Sequence, residues 1–188
     1  MPRPPRLQAA GGIFHITIRG VRRHDIFLDD RDRELFLVLL EHLIRTRGWI
    51  CHAYCLMPNH FHLVIETPNE DLSAGMHWLN FRYAQWFNER HGYEGHVFDR
   101  RFHSVLVESQ LHLLELARYV VLNPVRAGFC AHPHEWHWSS YGVMVGAAAR
   151  PSFLTVDWLL SQFGREPADA RAVYTAFVTE GAAKARSP

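Results

Sequence analysis

The run Cys51-His52-Ala53-Tyr54-Cys55-Leu56-Met57-Pro58-Asn59-His60-Phe61-His62-Leu63-Val64-Ile65-Glu66 leaves this chain few options. Two short apolar, β-prone segments flank Met57-Pro58-Asn59, and turn residues between such segments predict a tight antiparallel hairpin. Residues two apart on a strand share a face, so His60 and His62 stand side by side while Phe61 points the opposite way into a core. A rigid strand carrying two imidazoles can present two nitrogen ligands to one divalent metal, given a third ligand from elsewhere. Such a pair also occurs as ordinary surface or as a satisfied polar pair, and spacing alone leaves these uses open.

With 188 residues, 48% of them hydrophobic, the chain suits one domain of ordinary size with a short appendage. No stretch approaches the ~18 consecutive apolar residues of a membrane span. The opening Met1-Pro2-Arg3-Pro4-Pro5-Arg6 lacks the apolar segment of a signal peptide. A soluble cytoplasmic protein without a membrane partner is the expectation. Cys51, Cys55 and Cys130 are three in number and two fall in the apolar hairpin, so buried thiols are expected rather than a disulfide framework.

The net charge of +1 conceals an uneven distribution. Residues 1–23 hold five arginines (Arg3, Arg6, Arg19, Arg22 and Arg23) and no acidic residue, and Lys184 is the one lysine among 20 basic residues. A guanidinium grips phosphate bidentately where an ammonium offers a point charge, so a phosphate-rich partner fits. A GC-rich genome, which replaces lysine by arginine throughout, accounts for the same bias.

In chain order, a half-buried strand is predicted at 13–18, with His15 and Thr17 on one face and Phe14, Ile16 and Ile18 on the other. A helix capped by Asp29 or Asp30 follows at 31–47, with Phe36, Leu39, Leu40 and Leu43 on its apolar side. Beyond the hairpin a second helix spans about 71–90. Trp78 and Phe81 read as its core contacts, while Arg82, Tyr83 and Arg90 remain open to nucleic acid. A fourth strand at 102–108 is preceded by Asp99-Arg100-Arg101. The third helix, 111–122, is largely apolar, yet His112, Glu115, Tyr119 and Asn123 recur at intervals of three and four and form a polar line along it. That line also reads as a solvent-facing stripe, with Asn123 capping a new turn begun by Pro124. Two short helices are expected at 156–163 and 168–180, and disorder at 182–188. The order strand, helix, strand, strand, helix, strand predicts an α+β, ferredoxin-like split βαβ sandwich with an antiparallel sheet. Its first and third strands would be central, with a further helix and a helical C-terminal tail added.

Three runs, Cys55-Leu56-Met57-Pro58-Asn59-His60-Phe61-His62, Arg118-Tyr119-Val120-Val121-Leu122-Asn123-Pro124-Val125-Arg126-Ala127-Gly128 and Trp138-Ser139-Ser140-Tyr141, together resemble the single-tyrosine HUH transposases. The branch they are most similar to is the REP-associated tyrosine transposases. The resemblance spans about residues 14–141. With residues 1–11 read as a flexible arm from their Pro- and Arg-rich composition, the expected organisation is that arm, a catalytic domain at 12–145 resembling the family and a helical extension at 146–188.

Residue by residue, the resemblance puts the family's histidine pair on His60 and His62, its nucleophile on Tyr119, and the remaining metal ligand on Asn123. It implies a Mg²⁺- or Mn²⁺-dependent enzyme that cuts single-stranded DNA beside a REP-type palindromic hairpin and stays joined to the 5′-phosphate through Tyr119. A phenol with pKa near ~10 needs help to lose its proton at neutral pH. His112 and Glu115 match no motif and stay unassigned. Arg3, Arg6, Arg19, Arg22, Arg100 and Arg101 are the expected DNA contacts, and a monomer is favoured over a dimer. The competing functions are a domesticated hairpin-binding protein without strand transfer and a phosphoesterase that uses water.

Overall fold

The computed structural model of the chain describes residues 9–186, with side chains described for 9–183. The arm residues 1–8, Arg3 and Arg6 among them, lie outside the described residues. Strand β1 (Gly12–Arg19) leads to helix α1 (Asp30–Arg47), strands β2 (Ile50–Met57) and β3 (His60–Thr67), helix α2 (Leu72–His91), strand β4 (His103–Leu106) and helix α3 (Gln110–Arg126). The four strands form one antiparallel sheet in the order β2-β3-β1-β4, which is the split βαβ arrangement predicted from the sequence.

Alternation divides the sheet into two faces. Phe14, Ile16, Ile18, Phe61 and Leu63 turn toward α1 and α2, where Phe36 meets Phe61 at 4.6 Å and Tyr83 meets Phe27 at 5.5 Å between ring centroids. Helix α1 opens with a reciprocal capping box in which Asp29 and Asp32 each accept from the other's backbone N–H, and closes at Gly48 with φ 66°. Asp71 does not cap α2 with its side chain, because its carboxylate takes the Arg47 guanidinium at 2.9 Å and the Trp49 indole N–H at 2.8 Å. A Cβ at Gly75 would collide with the Trp49 ring, so a glycine there lets α2 approach closely.

The opposite face of the sheet is partly covered by α3, whose Leu113, Leu116, Ala117, Val120 and Val121 are buried. Helix α3 continues to Arg126 instead of ending at 122, and Asn123 is not the cap of a new turn. Pro124 has no N–H for the Val120 carbonyl, and the Asn123 side chain supplies one, with Nδ2 donating to Val120 O at 3.3 Å and to Tyr119 O at 2.9 Å. Beyond α3 the chain returns along the outer edge of β2. Leu56 N donates to Trp138 O at 2.8 Å, Ser140 N to Tyr54 O at 3.0 Å and Thr155 N to Cys51 O at 2.8 Å. Trp138-Ser139-Ser140 thus covers an edge that would otherwise offer unpaired backbone groups.

A short helix α4 (Tyr141–Met144) and helix α5 (Asp157–Ser161) lead to α6 (Pro167–Arg186), which packs on α3. The last helix is therefore longer than the predicted 168–180 and runs through part of the segment expected to be disordered. Strand β4 is shorter than the predicted 102–108. Phe81 was expected in the core but is 58% exposed, whereas Tyr83 is fully buried with its hydroxyl donating to Ile26 O, and so is not a nucleic-acid contact. Arg90 is engaged by Asp29 and by the fully buried Asp32, which also meets His91 at 3.0 Å. No helix among the described residues is long and apolar enough to cross a membrane.

Asp32 joins α1 to the end of α2, and truncating one partner of a buried ionic cluster leaves the other charge unpaired. Asp32→Ala is expected to lower unfolding free energy by about 3 kcal/mol, read from the urea midpoint at constant slope. A midpoint equal to that of the unaltered chain would show that the cluster contributes nothing.

Candidate active site on the histidine face

The second face of the sheet carries the chemistry. Register places His62 opposite Thr17 and His60 opposite Arg19, while His15 lies opposite Val64 and beside Val105 of β4. With His103 paired to Thr17, four imidazoles from three adjacent strands share this face. The sequence pattern had already put His15 and Thr17 on one face. It gave no sign that His15 and His103 would flank the His60/His62 pair, because that depends on which strands become neighbours.

Hydrogen bonds decide which imidazole nitrogen stays available. Asn59 Nδ2 donates to Arg23 O at 3.1 Å, so its Oδ1 faces His60 and accepts from Nδ1–H at 2.7 Å, leaving Nε2 of His60 with its lone pair. Nδ1 of His62 lies 3.0 Å from Nε2 of His15, and Nε2 of His62 is buried without a hydrogen-bond partner. Because Nδ2 of Asn123 is held by two carbonyls, Oδ1 is the end of that amide left free.

All three inner histidines are held below the ordinary imidazole range. Burial lowers His62 to about 2, with His60, His15 and Arg19 adding repulsion; the Asn123 side chain acts in the opposite sense, close enough to influence titration though short of a well-formed bond to Nε2. Burial and then Arg19 bring His60 to about 4. Burial followed by repulsion from His103 and His112 brings His15 to about 4. At neutral pH these rings are uncharged and able to act as nitrogen ligands.

Tyr119 reaches this cluster from α3. Its ring meets His62 edge-on at 5.7 Å and His15 at 6.1 Å between centroids, and the Arg126 guanidinium lies 4.8 Å from its own centroid. Arg126 is seven residues from Tyr119, two helical turns, and that spacing is a signal the sequence reading left unused. An open cleft of about 470 Å³ is lined by His15, His60, His62, His103 and Tyr119, with Arg19, Arg100 and Arg101 among its other walls. Arg22 is not among the lining residues; it sits in a turn after β1 with φ 53°. His112 and Glu115 border a separate cleft of about 320 Å³ on another side of Tyr119, where Glu115 pairs with Arg118.

No three His, Cys, Asp or Glu side chains among the described residues form a group able to hold a metal, so a cation at this site would need a donor of another kind. Nε2 of His60 and Oδ1 of Asn123 are atoms whose lone pairs the hydrogen bonding leaves unused, and Nε2 of His62 joins them in the tautomer that donates Nδ1–H to His15 Nε2. The orphaned, buried Nε2 of His62 fits a metal ligand better than it fits an apolar environment.

The chain is similar to known proteins along most of its length. A protein of Haemophilus influenzae named as a REP-associated tyrosine transposase is 25% identical over 159 residues, covering 79% of this chain and 88% of that protein. Among solved structures, a REP-associated tyrosine transposase bound to a REP hairpin superposes with TM-score 0.66 at 19% identity, covering 84% of this chain and 93% of the other, and shows the same fold. The family model described as IS200-like transposase matches residues 9–123, a span containing β1 to β4, His60, His62, Tyr119 and Asn123, and the chain belongs to that family.

Proposed function

We propose that the chain is a metal-dependent endonuclease and strand transferase for single-stranded DNA bearing a REP-type hairpin, with Tyr119 as its nucleophile. The observation that carries this reading is the buried, unpartnered Nε2 of His62 beside the Tyr119 ring, at the floor of an arginine-walled cleft. His60, His62 and Asn123 would hold one Mg²⁺ or Mn²⁺. When bound, such an ion orients the scissile phosphate and neutralises charge as the displacement proceeds.

The protein's own residues account for the rest. Arg19, Arg100 and Arg101 attract and seat the phosphodiester backbone. Asn59 and His15 fix the orientation of the two ligand imidazoles from behind, as hydrogen-bonded partners of metal-binding histidines do. Tyr119 Oη attacks phosphorus, forming the Oη–P bond as the P–O3′ bond breaks. The phenolic proton leaves to water in the open cleft and the departing 3′ oxygen takes up a proton. The phosphotyrosine ester keeps the energy of the broken bond, so a 3′-hydroxyl can reverse the step and join strands without ATP. A single subunit is the form favoured on this reading, with α3 packed on β2 of the same chain and against α6. The hairpin partner is supported by the likeness to the hairpin-bound transposase named above.

Tyr119→Phe keeps the ring and removes the oxygen. It is expected to fold and bind hairpin DNA yet form no covalent adduct in a denaturing gel, while the His60→Ala, His62→Ala double variant should lose at least about a hundredfold in cutting rate. Cutting by Tyr119→Phe without an adduct would favour the water-using phosphoesterase, and hairpin binding by the unaltered chain without cutting would favour the binding protein.

His15→Ala removes the group behind His62 and leaves the three donor atoms in place. Metal affinity measured by calorimetry is expected to fall about 10- to 100-fold, with cutting restored by excess metal. Unchanged affinity would mean that His15 only packs.

The neutral imidazoles also set an acid limit. His15, His60 and His62 titrate lower in the folded chain than the ordinary value of about 6.5. The unfolded chain therefore binds protons that the folded chain refuses as pH falls below about 6.5, and stability drains away toward about pH 4 and below. In chelator, the melting temperature should drop over that window, and the His60→Ala, His62→Ala variant should show a flatter drop. Parallel curves would contradict the burial of these rings as neutral species.

A further inference from the structure

A second, larger cleft of about 820 Å³ lies on the other side of residues 99–101, and none of the roles above uses it. One wall is the face of α2 carrying His77, Asn80, Phe81 and Ala84, residues three and four apart, and the other is the segment 95–102. Its volume falls in the range of small-molecule sites, about 300–1,000 Å³.

The lining is unlike an ordinary surface groove. Phe81 is a large aromatic side chain 58% exposed in the middle of a long helix, with the His77 ring near-parallel to it at 6.3 Å. Beside them Oδ1 of Asn80 is buried and accepts no hydrogen bond. An open aromatic face next to an unsatisfied amide acceptor suits a flat ligand that stacks and offers an N–H at its edge. Arg101 supplies positive charge at the rim with no carboxylate paired to it among the described residues, while Arg100 is paired with Asp99 at 3.2 Å.

The two clefts are not independent. Ile18, Asp99, Arg100 and Arg101 line both of them. The ridge between them is fixed to the end of β1, with Val21 N donating to Val97 O at 3.0 Å and Asp99 N to Arg19 O at 3.0 Å. A chain molecule with phosphates at regular intervals and flat polar rings between them can lie across such a ridge, phosphate on the arginines and ring in the second cleft.

We propose that the cleft between α2 and residues 95–102 holds an unpaired nucleobase of the DNA strand whose phosphate occupies the His60/His62 cleft, stacked on Phe81 and paired to the Asn80 amide. This rests on the reading of the chain as a single-strand DNA enzyme. Stacking on aromatic side chains is tolerant of base identity, while a side-chain amide matches the N6 amino and N7 edge of adenine bidentately. The site thus gives affinity to any base and preference to adenine. Phe81 supplies the stacking surface and Asn80 reads the edge; neither touches the reacting phosphorus.

The test is a double-variant cycle on the hairpin oligonucleotides that the chain cleaves, with an abasic nucleotide moved one position at a time along the unpaired flanks. At one position the abasic nucleotide should weaken binding about tenfold, Phe81→Ala should cost the same, and the two together should cost no more than either alone. Phe81→Trp should restore binding, and Asn80→Ala should erase any preference for adenine at that position. Phe81 is exposed, so Phe81→Ala should melt as the unaltered chain does. Additive losses at every flank position, with the Tyr119 adduct still forming, would overturn the base site alone. Failure of the unaltered chain to bind these strands would overturn it together with the enzymatic reading.

Discussion

The register between β1 and β3 is the constraint on which the histidine face depends. A slip of one residue would turn His60 and His62 into the layer occupied by Phe36 and Tyr83, and would bring Phe61 out into the cleft. The turn between β2 and β3 guards against this. Pro58 O accepts from Ile26 N at 2.8 Å and from Phe27 N at 3.0 Å, and Asn59 O accepts from Gly20 N at 2.9 Å. The segment after β1 is thereby tied to the hairpin tip. Within it Arg22 and Arg23 adopt φ 53° and 63°, a left-handed conformation that costs energy in residues other than glycine and persists where surrounding bonds enforce it. Asn59 belongs both to that fastening and to the orientation of the His60 ring.

Helix α3 combines a structural repair with a chemical provision in one side chain. Pro124 leaves the Val120 carbonyl without its usual donor, and the Asn123 amide turns its nitrogen end toward the gap. An amide has one donor end and one acceptor end, so committing Nδ2 to the helix aims Oδ1 away from it. The proline thus helps determine which end of Asn123 faces the histidines. A structural role for Asn123 and a ligand role do not compete, because they use different atoms.

Local pattern made much of the fold readable in advance. The hairpin at Met57-Pro58-Asn59, the apolar stripe of α1 and the strand-helix order needed only periodicity and turn chemistry. What could not be read depended on partners distant in sequence. Phe81 and Tyr83 are two residues apart on an aromatic helix, and only the position of Ile26 and Phe27 makes one core and the other surface. Asp71 opens α2 without capping it, because Arg47 and Trp49, more than twenty residues away, claim its carboxylate. Within the site, the His60/His62 pair followed from strand alternation alone, whereas the place of His15 behind His62 required knowing that β1 lies next to β3. The continuation of α3 past Pro124 was hidden because a side chain stands in for a backbone donor, an exchange that helix-ending rules do not contain.

Charge and burial cooperate at the cleft in a way that serves the proposed reaction. A binding site for phosphate needs positive charge, and a metal site built on imidazoles needs those rings unprotonated. Arg19 meets both needs, since it lines the cleft and its charge also disfavours protonation of His60 and His62. Burial does most of that work, so the ligand rings stay neutral even when entering phosphate offsets the guanidinium field. Tyr119 is approached by a cation from another direction, through Arg126 over its ring, while the rings of His15 and His62 stand nearly perpendicular to it. Positive charge therefore surrounds the histidine cluster without entering it, and the neutral floor is where a divalent ion and a phosphate oxygen can meet.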